Sequence, residues 1–249
     1  MLGEIWKVYL ETRKEKEQWW AKYATRPFAA AVLYLIRDTA ITPNQVTLIA
    51  FLTSLVGAGV MVGWTTHVGL IVAVLIYQLA YIFDCVDGML ARYRKIASKI
   101  GHLLDFLLDE FKAIFLMAAV SARLYFVHDD PIYPVVGVFG VALVAVGLSL
   151  TTFTRRPEYP QPPAPPPSAD PPPPPSLVKR IVSIPITLLR YAINYPVYIV
   201  FLAIFDVIEA FFWIFVSVYA LYVARTFLQV ALKLGRFTPP TEPSPAPEA

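Results

Sequence analysis

The chain has 249 residues, of which 57% are hydrophobic and only 16% charged, and its mean hydropathy is +0.57. That balance excludes an ordinary soluble domain, and a net charge of +3 is too small to suggest a nucleic-acid partner. The single cysteine, Cys85, excludes an intrachain disulfide.

A hydrocarbon core about 30 Å thick takes roughly 20 apolar helical residues. The chain therefore reads as an all-α integral membrane protein with about six transmembrane helices and an N-terminal interfacial amphipathic helix. Residues 1–40 form the N-terminal segment. Between Trp6 and Trp20 it mixes Trp, Tyr and Ile with Lys, Arg and Glu, the composition of a helix lying along a membrane surface. It lacks the continuous apolar core of a cleavable signal peptide, so the first span is expected to serve as its own address. Pro27 restarts the chain into Phe28 to Ile36, apolar but too short to span. At TPNQVT, Thr42 is a helix cap and Pro43 fits the first helical position.

The expected spans are Val46 to Val62, Val68 to Phe83, His102 to Tyr125, Ile132 to Phe153, Pro185 to Phe205 and Ala210 to Ala231. The second is short unless it continues through Cys85 to Ala91, which carries Asp84 and Asp87 to its end. The membrane domain covers residues 41–235 and includes a proline-rich linker at 157–176, which reads as a semi-rigid spacer. Residues 236–249 are expected to be a disordered Pro-rich tail. Lys and Arg collect before the first span and after the second, fourth and sixth, while GWTTH and VHDDP carry none. Both termini and the loops that bear Arg92, Lys99, Arg155 and Arg156 are thus expected to be cytoplasmic.

Carboxylates near a bilayer are costly unless something compensates them. Asp84 and Asp87 are three apart and Asp105 and Asp109 four apart, so each pair shares one helix face. Two helices joined by a cytoplasmic loop can turn these faces together. Hard divalent ions, a pair about 4 Å apart, suit such an all-oxygen set. Gly88 and Ala91 extend the acidic face with almost no side chain, Gly101 begins the other face in the same way, and Arg92 offers a planar fork for phosphate oxygens. Together these describe a diphosphate site.

The full pattern is DxxDGxxAR, eight residues, then GxxxDxxxD, at Asp84, Asp87, Gly88, Ala91, Arg92, Gly101, Asp105 and Asp109. It resembles the signature of the CDP-alcohol phosphotransferase family, integral membrane enzymes of phospholipid synthesis, with the likeness covering about Thr42 to Phe115. The resemblance implies that Asp84, Asp87 and Asp105 hold two divalent ions, Mg²⁺ or Mn²⁺, and that Asp109 touches a metal and acts as the base. It further implies that Gly88, Arg92 and Ser98 contact the CDP group, as do Asn44, Gln45, Val46 and Thr47, with Ala91 and Gly101 in the same wall. The implied partners are a CDP-linked lipid or alcohol donor, a hydroxyl acceptor and membrane lipids. A homodimer is a family expectation only. The segment RPFAAAVLYLIRDTAITPNQVT also looks somewhat like the inositol-phosphate-transferring branch.

Blander readings stand beside these. Arg92, Arg94, Lys95 and Lys99 can simply neutralise the carboxylates. A divalent-cation transporter also uses intramembrane acids, but a pathway needs polar groups through the whole bilayer. Cys85 reads as a packing residue and His102 as an interfacial one. Glu110 is expected to pair with Lys112 or Arg123, and Arg26, Arg37 and Asp38 to be solvated charges. Arg155 and Arg156 read equally as a positive-inside anchor or as partners for an anionic acceptor.

Overall fold

The computed structural model describes residues 2–13, 21–156, 159 and 195–234. The proline-rich linker and the tail lie outside these. In chain order the elements are α1 (Leu2–Thr12), a π-helical turn (Ala21–Thr25) that runs into α2 (Arg26–Ile36), α3 (Pro43–Gly63), α4 (His67–Tyr93), α5 (Lys99–His128), α6 (Ile132–Thr154), α7 (Tyr195–Ile204) and α8 (Ile208–Leu234).

Side-chain caps start the three helices that build the site. At α3, Thr42 Oγ1 accepts from the Gln45 amide at 3.3 Å while Gln45 Oε1 accepts from the Thr42 amide at 2.8 Å, with Pro43 in the first turn. This reciprocal box satisfies two amides that a helix start leaves open. Thr66 caps α4 through the Gly69 amide at 3.2 Å, and Ser98 caps α5 through the Gly101 amide at 3.0 Å. The end of α4 is less usual. Lys95 adopts φ 56°, and the Ile96 amide reaches back to the Ala91 carbonyl at 2.9 Å. A lysine thus takes the left-handed position that glycine normally fills.

Helix α4 runs unbroken through Cys85 to Ala91, so Asp84 and Asp87 do sit on the continuation of the second span. Among the described residues four helices, α3, α4, α6 and α8, are long and apolar enough to cross a membrane. With 30 residues, α5 is about 45 Å long, but Asp105, Asp109, Glu110, Lys112 and Arg123 interrupt its apolar run. The expected fifth span is described only from Tyr195, as α7. Leu48, Leu52, Val56, Leu75, Val138, Phe139 and Phe227 turn large apolar side chains outward, as an integral membrane protein requires.

The packing order fixes where a site can form. Helices α4 and α5 both pack on α3 rather than closely on one another; α6 lies against α5 and α8, α7 against α4 and α8, and α2 crosses α4 with α1 beside both. One apolar cluster, including Met61, Leu70, Leu116, Phe211 and Phe215, fills one half of the bundle. A second joins Val8, Leu33, Val46, Cys85, Val86 and Leu90 beneath α1 and α2. Cys85 is therefore a packing residue. Arg26 departs from expectation: it is 6% exposed, close enough for its charge to act on Tyr81, because the first turn of α2 lies flat on α4. Arg37 does stay near the surface, donating to Asp38 at 3.2 Å with its guanidinium 4.5 Å from the Tyr34 ring.

Arg123 does not pair with Glu110. Its guanidinium donates to the carbonyls of Met61, Trp64, Thr65 and Thr66 at 3.2, 2.9, 2.8 and 2.9 Å. Those carbonyls end α3 and begin the next turn, so a buried cation closes the helix from the side. Glu110 instead feels Arg155, whose guanidinium lies 4.7 Å from the Phe106 ring.

Helices α5 and α6 approach through Gly137, where an added Cβ would lie 2.0 Å from Ser121 Oγ and 2.6 Å from Ser121 Cβ. Rotating the serine removes only the first clash. Gly137→Ala is expected to lower stability by about 1–3 kcal/mol, read as a reduced melting temperature in detergent, and Ser121→Gly in the same chain to restore most of it.

Candidate active site

The DxxDG stretch places Asp84 and Asp87 in the last three turns of α4, and Gly101, Asp105 and Asp109 follow one another at single-turn spacing from the start of α5. With α3 holding the two helices apart, their acidic faces meet across a gap. Carboxylate oxygens of Asp84, Asp105 and Asp109 lie within 4.8 Å of one another. Asp87 stands outside this trio, 6% exposed, with Oδ2 accepting from Thr47 Oγ1 at 2.6 Å.

The carboxylates line two cavities, Asp87 and Asp105 the first and Asp84 and Asp109 the second. The first, about 360 Å³, is lined by Thr42, Pro43, Asn44, Thr47, Asp87, Gly88, Ala91, Arg92, Ile96, Ala97, Ser98, Gly101, His102 and Asp105. The second, about 230 Å³, has Asp84, Asp109, Glu110 and Lys112 on one side and Tyr77, Gln78, Tyr81 and Tyr219 around them. Asp109 is half-exposed to it.

Small residues shape the first cavity. A Cβ at Gly88 would come within 3.3 Å of Arg92 Nη1, and one at Gly101 within 3.2 Å of Ser98 Oγ and 3.4 Å of Asn44 Oδ1. Glycine thus lets the Arg92 guanidinium lie along the helix and lets Ser98 and Asn44 converge on the start of α5. Arg92 Nε donates to the Thr12 carbonyl at 3.0 Å, which ties the end of α1 to the cavity wall. No sequence signal marks that contact, because it joins a backbone atom to a residue 80 positions away.

Two members of the NQVT stretch lie elsewhere. Val46, 3% exposed, packs with Cys85, Val86 and Leu90, and Gln45 is engaged in the α3 cap. Helical periodicity is the reason, since only residues on the face of Asn44 and Thr47 look toward the gap.

Neutralisation of the aspartates by the basic loop is not what the structure shows for Arg94. Its guanidinium donates to the carbonyls of Ile36, Arg37, Thr39 and Ile41, pinning the turn that precedes α3. Among the described residues, a cation that bonds to the cluster is Lys112. Its ammonium donates to Asp84 Oδ1 and, at 2.8 Å, to Asp109 Oδ1. The expected pairing of Lys112 with Glu110 is therefore replaced by one its position already allows, three residues beyond Asp109 on the same helix face.

Residues 40–191 match the family described as CDP-alcohol phosphatidyltransferase. The chain is also similar to a protein of Thermococcus kodakarensis named bifunctional IPC transferase and DIPP synthase, 35% identical over 106 residues. That likeness covers 43% of this chain and 22% of the relative, so the chain spans only about a fifth of that protein's length. With the motif's side chains gathered at one gap and a profile match over more than half its length, the chain belongs to the CDP-alcohol phosphatidyltransferase family.

Proposed function

We propose that this chain catalyses metal-dependent transfer of a phosphatidyl group from a CDP-linked donor to an acceptor hydroxyl, releasing CMP, in phospholipid synthesis. The observation that carries the reading is the convergence of Asp84, Asp105 and Asp109, which between them line two cavities. Three carboxylates from two helices form an all-oxygen donor set, which fits a hard divalent ion such as Mg²⁺ or Mn²⁺. Asp87, on the first cavity's wall, extends that set to a second ion. Ions bound there would polarise the donor's diphosphate and stabilise the charge that builds as CMP leaves.

The remaining roles follow from position. The CDP group occupies the first cavity, where Arg92, Ser98, Asn44 and the thinned wall at Gly88, Ala91 and Gly101 face it. Thr47 holds Asp87 in one orientation through a hydrogen bond to a charged acceptor, a strong class of contact. The acceptor approaches through the second cavity, which Asp109 enters. As the acceptor oxygen bonds to the phosphorus distal to cytidine, the bond from that phosphorus to the CMP oxygen breaks and the hydroxyl proton passes to the Asp109 carboxylate. Lys112 at 2.8 Å compensates the charge on Asp109 before this. The site belongs on the cytoplasmic face, because Arg92, Arg94, Lys95, Lys99 and Arg155 all lie at its end of the bundle.

With CDP-diacylglycerol, Mn²⁺ and a panel of alcohols, purified protein is expected to release CMP with at least one acceptor. A CDP-inositol or CDP-aminoalcohol donor active in its place would move the chain to that branch, and release with none would overturn the reading. Asp109→Asn is expected to lower the rate by roughly 10²–10⁴-fold, the usual loss for a missing general base, while Mn²⁺ still binds. Thr47→Val is expected to reduce kcat/KM by about ten- to a hundredfold, on the scale of one hydrogen bond to a charged group, whereas Val46→Ala should lower the melting temperature and leave KM for the donor unchanged.

A further inference from the structure

We propose that Lys112 is a tethered counter-cation: it holds Asp84 and Asp109 together in the metal-free protein and yields that place when a divalent ion enters. The inference rests on the reading of the aspartates as metal ligands.

Lys112 is 6% exposed, and its ammonium spans the gap from α5 to α4, bonded to one carboxylate on each. Because both helices pack on α3 rather than closely on one another, this bridge is a direct link between them at the level of the site. A divalent ion binds carboxylate oxygens at about 2 Å, so an ion at the two Oδ1 atoms that Lys112 bonds sits in contact range of the ammonium. Like charges in such contact, away from bulk water, repel strongly. The two cations therefore exclude one another at these oxygens.

The structure also gives the lysine somewhere to go. The 230 Å³ cavity beside it is lined by Tyr77, Gln78, Tyr81 and Tyr219, and the hydroxyl of Tyr77 is buried without a hydrogen-bond partner among the described residues. A four-carbon stem can swing the ammonium off the carboxylates into this space, where aromatic faces and the phenol receive it. Asp87 and Asp105 line the other cavity, and Lys112 does not. The two cation positions are thus unequal: the one toward Asp87 and Asp105 fills first, and the one at Asp84 and Asp109 fills second, against the lysine. Negative charge brought by a donor diphosphate offsets that opposition, so the second position fills more readily with substrate present.

The test is a Mn²⁺ titration of the full-length protein in nanodiscs without substrate, following free ion by electron paramagnetic resonance. The wild type is expected to show one tight and one weak site. Lys112→Met should tighten the weak site by about tenfold or more, the scale of coupling between contacting charged groups, and Lys112→Arg should stay near the wild type. A second measurement needs no variant: isotope-coded reductive methylation read by mass spectrometry. Labelling of Lys112 should rise several-fold on saturation with Mn²⁺ while that of Lys95 and Lys99 does not. Identical isotherms for the wild type and Lys112→Met, or Lys112 labelling unmoved by Mn²⁺, would overturn the proposal and leave the metal reading standing. A wild type that binds no Mn²⁺ at all would remove both.

Discussion

Three carboxylates within a few ångströms inside an apolar bundle cannot all stay ionised without positive charge among them. The rest of the architecture answers to that constraint. Asp84 lies on one helix and Asp105 and Asp109 on another, and Lys112 bridges the two helices through Asp84 and Asp109. Breaking such a buried pair by removing one partner is costly, because it strands the other charge. An acidic cluster in such a place must therefore be compensated, and a lysine on a long flexible stem does so for Asp84 and Asp109.

The width of the gap is set by α3. If α4 and α5 packed ridge into groove, their axes would approach to 8–10 Å and the acidic faces would leave little room for a ligand. With α3 packed against both instead, the same faces border two cavities. The division is chemical as well as spatial. One chamber has a wall thinned by Gly88, Ala91 and Gly101 and edged by Arg92 and Ser98. The other is ringed by tyrosines and glutamine.

Much of this was legible in the sequence, because it depends on local rules. Period and spacing placed each acidic pair on one face, Thr42 with Pro43 announced the start of α3, and length with apolarity marked α3, α4, α6 and α8 as long enough to span. What escaped was set by contacts distant in sequence. Arg94 looks like one more loop cation, yet its donors close on carbonyls more than fifty residues earlier. Val46 and Thr47 are neighbours that face opposite ways, and only the helix phase against the gap decides which serves the site. Lys95 ends α4 in a left-handed turn without the glycine that usually signals it. Lys112 was visible as a neighbour of Asp109, but its second partner comes from another helix.

Arg92 connects the signature to a part of the chain that carries none of it. Its guanidinium rests on the last carbonyl of α1, a helix that buries Val8 and Tyr9 beside α2 and α4. One wall of the 360 Å³ cavity is thus braced by α1, through Arg92. A chain trimmed to its first apolar span would keep all four aspartates and lose this brace on the arginine, so the contacts that shape the cavity reach well upstream of the region the signature covers.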